Sequence, residues 1–171
     1  MKKLLTILSL VLLSSCSQEP EVVQEPEVVT GTFLTRDGIT YHQDTDEPVT
    51  GIVEEFYDDG QLSFRANYKD GKEDGLSEMY HENGQLWWRV NYKDGKRDGL
   101  NEFFDENGQL ETRGNWIDGK RDGLSELFHD NGQLFGRGNY IDGKEDGLFE
   151  YFDEDGNLTE TETYRNGVLV E

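Results

Sequence analysis

A chain of 171 residues is long enough for one domain or one short repeat array. Apolar residues make up 33% and aromatics 12%, too thin for a compact two-layer core and too rich in rings for a disordered chain, so most residues must lie near a surface. The formal charge of −21, with no basic cluster in the body of the chain, argues against nucleic acid and anionic lipid head groups as partners.

The chain opens with the short basic run Met1-Lys2-Lys3, followed by an apolar run from Leu4 to Leu13 that is too short to span a bilayer. Leu13-Ser14-Ser15-Cys16 closes it. This order resembles the signal peptide and lipobox of bacterial lipoproteins. The resemblance implies a signal peptide over residues 1–15, lipid attachment at Cys16 and cleavage before it. Cleavage removes Lys2 and Lys3 and takes the charge from −21 to −23. Ser17 after the cysteine resembles the class sorted to the outer membrane rather than held at the inner one, and the early acids Glu19 and Glu21 leave surface exposure open. Cys16 is the only cysteine, so no internal disulfide forms.

Residues 16–31 then read as an acidic linker. The hexapeptide Gln18-Glu19-Pro20-Glu21-Val22-Val23 is repeated as Gln24-Glu25-Pro26-Glu27-Val28-Val29. Prolines and repelling glutamates favour an extended chain that reaches ~40 Å from the lipid at ~3.1 Å per residue.

Residues 32–50 read as a degenerate opening unit, with a turn at Asp37-Gly38 and Pro48 suited to a terminal edge strand. From Gly51 to Glu171 a frame of 24 residues returns. Glycines recur at that spacing in three series: Gly60 to Gly156, Gly71 to Gly167, and Gly51 to Gly147. Five units follow, the last running from Gly147 to Glu171. Each holds two β-prone segments separated by Asn-Gly or Asp-Gly turns, a strong hairpin signal. The fold class is all-β: a single-layer, twisted antiparallel meander of 24-residue β-hairpin repeats, with no helical periodicity after the signal peptide.

Two registers are open. A three-residue loop Glu82-Asn83-Gly84, with Gly84 left-handed, starts its turn at Asp58, His81, Asp105, His129 or Asp153. It pairs Tyr80 with Leu86 and Met79 with Trp87, and collects Leu76, Tyr80, Trp88, Val90 and Tyr92 on one face. It sorts the apolar residues more cleanly. A two-residue Asn-Gly turn shifts the pairing by one and sets Glu54, Glu78, Glu102 and Glu126 opposite Arg65, Arg89, Arg113 and Arg137.

The recurring Gly-Leu, the aromatics Phe56, Tyr80, Phe104, Phe128 and Phe152, the Asn/Asp-Gly-x-Leu turn, the late aromatics Tyr68, Tyr92, Trp116, Tyr140 and Tyr164, and the Asp-Gly-Lys step together resemble the MORN-repeat variant. They also resemble YwqK-type antitoxin proteins built from such units, over residues 32–171. The resemblance implies a long twisted sheet used as a scaffold or binding surface. MORN arrays are linked to acidic lipids, which a −23 surface opposes. For an exported chain, the antitoxin resemblance implies immunity to a toxin acting in the envelope.

No nucleophile–base set stands apart from the repeat, and no catalytic residue or cofactor is assigned; the expectation is no enzyme activity. His81 and His129 read as turn residues, and His42 stands alone. Asp94, Asp98, Asp118 and Asp122 are candidate calcium ligands around Gly turns, but a lysine sits between the members of each pair and the ligand count falls short of six to eight oxygens. The irregular positions are aromatic. Trp87 and Phe135 fill a slot taken elsewhere by Ser63, Glu111 and Thr159, next to Met79, Phe103 and Leu127. Gly114, Gly136 and Gly138 thin the adjacent strands. With Arg89 and Arg137 beside them, these residues form the candidate partner-binding surface. The expectation is a non-catalytic, lipid-anchored envelope scaffold for a protein partner, touching the membrane only through its lipid. Envelope-toxin immunity and a calcium-dependent rod are the alternatives.

Overall fold

The computed structural model describes residues 27–171. The expected signal peptide, Cys16 and most of the expected linker lie outside the described residues.

Two kinds of turn, alternating along the chain, generate the array. At Asp70-Gly71, Asp94-Gly95, Asp118-Gly119, Asp142-Gly143 and Asn166-Gly167 both residues have positive φ, as a two-residue type I′ hairpin demands. The other turn is the three-residue loop. Gly84 has φ 81°, its N–H donates to the His81 carbonyl at 2.9 Å, and the His81 N–H donates to the Gln85 carbonyl at 2.8 Å. The same pair of bonds recurs at Tyr57, Asp105, His129 and Asp153. The first loop therefore opens at Tyr57 and not at Asp58.

The strands are β1 (Val28–Val29), β2 (Phe33–Arg36), β3 (Ile39–His42), β4 (Gly51–Phe56), β5 (Leu62–Lys69), β6 (Lys72–Tyr80), β7 (Leu86–Lys93) and β8 (Lys96–Phe104). They continue as β9 (Leu110–Ile117), β10 (Lys120–Phe128), β11 (Leu134–Ile141), β12 (Lys144–Glu145), β13 (Gly147–Phe152), β14 (Leu158–Arg165) and β15 (Val168–Leu169). From β4 onward each strand pairs antiparallel with the next, and β12 and β13 are two parts of one interrupted strand against β11. The result is one open meander, as the repeat implies, and the described residues contain no helix.

Both expected registers occur within every hairpin, separated by a bulge. Next to the loop Tyr80 pairs with Leu86, but beyond it Met79 pairs with Trp88 and Glu78 with Arg89. Trp87 is the extra residue. Ser63, Glu111, Phe135 and Thr159 are bulged in the same way. The bulge overturns two expectations. Met79 faces Trp88 and not Trp87, and Trp88 shares a face with Val90 and Tyr92 while Leu76 and Tyr80 lie on the other.

A second irregularity sits at the start of each long strand. Between Tyr92↔Arg97 and Val90↔Asn101 the strand β8 holds two more residues than β7. Gly99 lies in this excursion with φ 115°, and a Cβ there would come within 3.1 Å of Asn91 Cβ, so only glycine fits. The ladder bond lost here is replaced by a side chain: Asn91 Nδ2 donates to the Leu100 carbonyl at 2.6 Å, as Asn67 does to Leu76 at 2.8 Å.

The two faces differ in chemistry. One carries a ladder of charge, with Arg65, Arg89, Arg113 and Arg137 each bound to Glu54, Glu102, Glu126 or Glu150. The other carries the core. A row of cross-strand neighbours runs Val53, Ala66, Ser77, Val90, Asn101, Gly114, Ser125, Gly138. Ala66 and Ser77 are 0% exposed although only one sheet is present. Larger side chains to either side cover this row of mostly small residues. Towards the loops stand Phe64, Met79, Trp88, Phe103, Leu127 and Tyr151; towards the type I′ turns stand Tyr68, Tyr92, Trp116, Tyr140 and Tyr164.

The N-terminal end departs from the linker and opening-unit expectations. Val28–Val29, read as linker, forms a parallel edge strand on Ile52–Val53. β2 and β3 form their own two-stranded sheet, and this segment is stitched to the Asp70-Gly71 turn by Thr40 N–H to the Gly71 carbonyl and Gly71 N–H to the Val49 carbonyl, both 2.7 Å. Pro48 bridges Tyr41 in this segment and does not form the edge of the large sheet.

Candidate functional site

The bulge decides where Trp87 and Phe135 point. An extra residue in the strand puts two consecutive side chains, Trp87 and Trp88, on the core face, so the first is pushed to its rim. Trp87 is 44% exposed and Phe135 41%. Each ring is met by the residue that opens its loop. His81 lies 5.4 Å from Trp87 at an interplanar angle of 32°, and His129 meets Phe135 edge-on at 5.0 Å. The two histidines also tie consecutive units together, with ring nitrogens 3.4 Å from the Phe104 carbonyl and 2.9 Å from the Phe152 carbonyl. Where the opener is Asp105, its carboxylate instead accepts the N–H groups of Asn107 and Gln109 within its own turn, and these bonds hold its pKa below the usual carboxylate range.

The sequence carried a signal for this pairing that reading the histidines as plain turn residues missed. Histidine opens the loop in the two units that bulge a large ring, while aspartate opens it in the units that bulge Glu111 and Thr159.

Leu127, Gly136, Phe149 and Tyr151 join Phe135 around a recess of about 160 Å³. Tyr151 donates to Glu162 at 3.0 Å, and burial first, with this acceptor second, pushes its phenol up to about 12. A second recess, of about 330 Å³, lies between Trp87, His81, Asn83, Glu106 and Tyr57. Met79 and Phe103 are neighbours of Trp88, one strand position inward from Trp87. The glycines do not open the surface equally: the space at Gly138 is filled by Phe149, whose Cδ1 lies 2.2 Å from where a Cβ would stand.

The guanidinium groups of Arg89 and Arg137 do not join this rim, although Arg137 lines the smaller recess between Gly136 and Gly138. Strand alternation sends both to the opposite face. There Arg89 is bound to Glu102, Arg137 donates to Glu150 at 2.7 Å, and each guanidinium covers a phenyl ring, of Phe104 and Phe152 respectively. The hydrogen bond to Glu102 raises the pKa of Arg89.

The four calcium candidates do not converge either. The carboxylates of Asp98 and Asp122 accept the backbone N–H of Asp118 at 3.2 Å and of Asp142 at 3.1 Å, and Asp118 takes Lys96 at 2.5 Å. Asp94 itself donates its backbone N–H to Asp74 at 3.1 Å. Among the described residues no three acidic, histidine or cysteine side chains close on one point. These acids staple each turn to the next unit.

No helix among the described residues is long and apolar enough to cross a membrane. Among curated proteins no match to the chain is found. Among solved structures it is similar to a mutant of S. aureus TarM in complex with Fondaparinux, alpha-GlcNAc-glycerol and UDP, at 15% identity and TM-score 0.37 over 56% of this chain and 19% of that one. A second TarM crystal structure matches at 15% and 0.37 over 57% and 19%. A GtfA/B complex bound to UDP and GlcNAc matches at 12% and 0.26 over 82% and 27%. The chain thus spans less than a third of the length of these proteins. The sequence profile of the MORN repeat variant matches five times, at residues 49–70, 73–94, 97–118, 121–142 and 145–166. With more than half of its length in five consecutive matches and each match folded as a hairpin of one continuous meander, the chain belongs to the MORN repeat variant family.

Proposed function

We propose that this repeat scaffold is a non-catalytic binding protein of the cell envelope, anchored through a lipid on Cys16, and that its core face receives a protein partner. The single observation that carries the reading is the pair of bulged rings. In two units out of five the rim position holds a large apolar side chain, half exposed, beside a recess; in the others it holds Ser63, Glu111 or Thr159. Large half-buried rings next to recesses are the usual anchors of protein contacts. The acidic surface keeps such a protein away from anionic membranes and polyanions, which leaves the lipid as its membrane attachment. The outer membrane is the expected address, from Ser17 after the cysteine.

The test is crosslinking and pull-down of the lipidated full-length protein beside Trp87→Ala and Phe135→Ala. Each substitution is expected to weaken capture of a dominant partner by about tenfold or more, the scale of truncating an interface anchor. Unchanged capture by both variants sinks the reading.

A further inference from the structure

The middle of the core face departs from the repeat in a second way, away from the bulged rings. The position before the Asp-Gly step is Glu73 in the first full turn, Arg97 and Arg121 in the middle two, and Glu145 in the last. The late aromatic between the two arginines is Trp116, where the other units have tyrosine. Both guanidiniums lie over its ring, Arg97 at 4.9 Å and Arg121 at 5.8 Å. Beneath them the buried row holds Asn101, Gly114 and Ser125. Together with Thr112 and Phe103 these residues enclose a recess of about 120 Å³.

Three observations say what this recess lacks. The four arginines of the opposite face each hold a glutamate, yet among the described residues neither Arg97 nor Arg121 has a carboxylate within salt-bridge distance. Asn101 is 1% exposed, and among the described residues its Nδ2 is a buried side-chain nitrogen without a hydrogen-bond partner. Turning the amide over is no remedy, because Asn101 Oδ1 already accepts the backbone N–H of Asn91 at 3.2 Å. A buried amide donor without an acceptor is costly, and such a group calls for a missing partner. The lining is otherwise rich in donors: two guanidiniums, the Asn101 amide and the hydroxyls of Thr112 and Ser125, with no acidic side chain among them.

We propose that this recess is a binding subsite for a single carboxylate group. The guanidinium fork matches a planar carboxylate, the unpartnered Asn101 amide supplies a further donor, and the Trp116 ring gives a flat wall. The small volume admits a carboxylate with a short alkyl stem and excludes a sugar phosphate. The charge of −21 opposes any anion, a monoanion least, and the two local cations offset that repulsion at the recess. The carboxylate comes either from a glutamate or aspartate side chain of a peptide or from a free short-chain acid. The subsite stands whether or not a partner docks on Trp87 and Phe135.

The test follows the Trp116 indole N–H and the arginine Nε–H resonances of the full-length protein by NMR at low chloride. Two carboxylate probes are titrated, propionate and acetyl-Gly-Glu-Gly-amide, beside their amide counterparts, propionamide and the Gln peptide. Saturable shifts are expected at Trp116, Arg97 and Arg121 with a carboxylate and not with its amide. Arg97→Gln combined with Arg121→Gln is expected to weaken binding about tenfold or more. Saturation by the peptide alone assigns the source to a polypeptide, and by propionate alone to a free acid. The same exchange, Arg113→Gln, at a residue that holds Glu126 on the other face, leaves the affinity unchanged. If the double variant does not fold, Gly114→Ala fills the recess instead, since its Cβ would lie 3.2 Å from Ser125 Oγ, and it too is expected to weaken binding. No saturable shift with either carboxylate, or equal saturation in the variants that fold, overturns the proposal.

Discussion

Gly138 shows how little room the core face leaves. Phe149 occupies the space a side chain there would need, and stands edge-on between Tyr140 at 5.6 Å and Tyr164 at 5.1 Å. Gly138→Ala is therefore expected to destabilise the protein by about 1–3 kcal/mol, as overpacking does, measured by urea unfolding. The sequence showed a thinned strand at Gly138 but not which ring would fill it, because Phe149 belongs to the next hairpin. The phenols give a second prediction. Burial and nearby carboxylates push Tyr68 and Tyr151 from 10.0 up to about 12. The folded state holds these protons more tightly than the unfolded one. Their contribution to stability is complete below pH 10 and is lost as pH rises from about 10 to about 12. The stability advantage of the natural protein over Tyr151→Phe is expected to shrink across that window in pH-dependent urea unfolding. Invariance would refute the assigned shift at Tyr151.

Each hairpin contains one bulge beside its loop, and in every hairpin after the first the long strand starts with a two-residue excursion. The loop types, the turn glycines and the pairing at Tyr80–Leu86 follow from local sequence, because Asn-Gly and Asp-Gly prescribe backbone angles. The bulge does not, because an inserted residue leaves the composition of the strand untouched and only shifts which face each later residue meets. Two registers thus each explained part of the pattern, one the apolar residues near the loop, the other the Glu–Arg ladder. The excursion makes the asparagine before the late aromatic structural. Asn91→Ala is expected to lose about 1–2 kcal/mol by urea unfolding, since it leaves the Leu100 carbonyl without its donor. Asn115→Ala is expected to lose less, because its bond to the Leu124 carbonyl is 3.5 Å. Equal losses would mean that the ladder repairs itself without these side chains.

On the scale of the molecule the sheet is a one-dimensional array, in which each hairpin touches only its neighbours. Removing one 24-residue period, residues 75–98, joins Asp74 to Gly99 and leaves every remaining strand with an equivalent partner. The shortened chain is expected to fold with the same β spectrum and a smaller urea m-value, reflecting the smaller surface exposed on unfolding. A chain that fails to fold would show that the units are not interchangeable. The repeat architecture was legible at this scale because it is written five times. The N-terminal end was not: Val28–Val29 has the composition of a tether, and becomes a strand only because the edge of β4 offers unpaired backbone groups.

The same arrangement governs how the protein yields to a pull. β1 and β15 lie at opposite edges of the sheet, so tension between the two ends of the described chain runs across the strands and peels them apart. Backbone bonds then break a few at a time rather than in concerted shear, and each released 24-residue unit lengthens the chain by ~70 Å, its extended length at ~3.4 Å per residue less the ~10 Å its two strands already span. Fixed at one end and loaded at the other, the sheet is an extensible strap that gives way unit by unit.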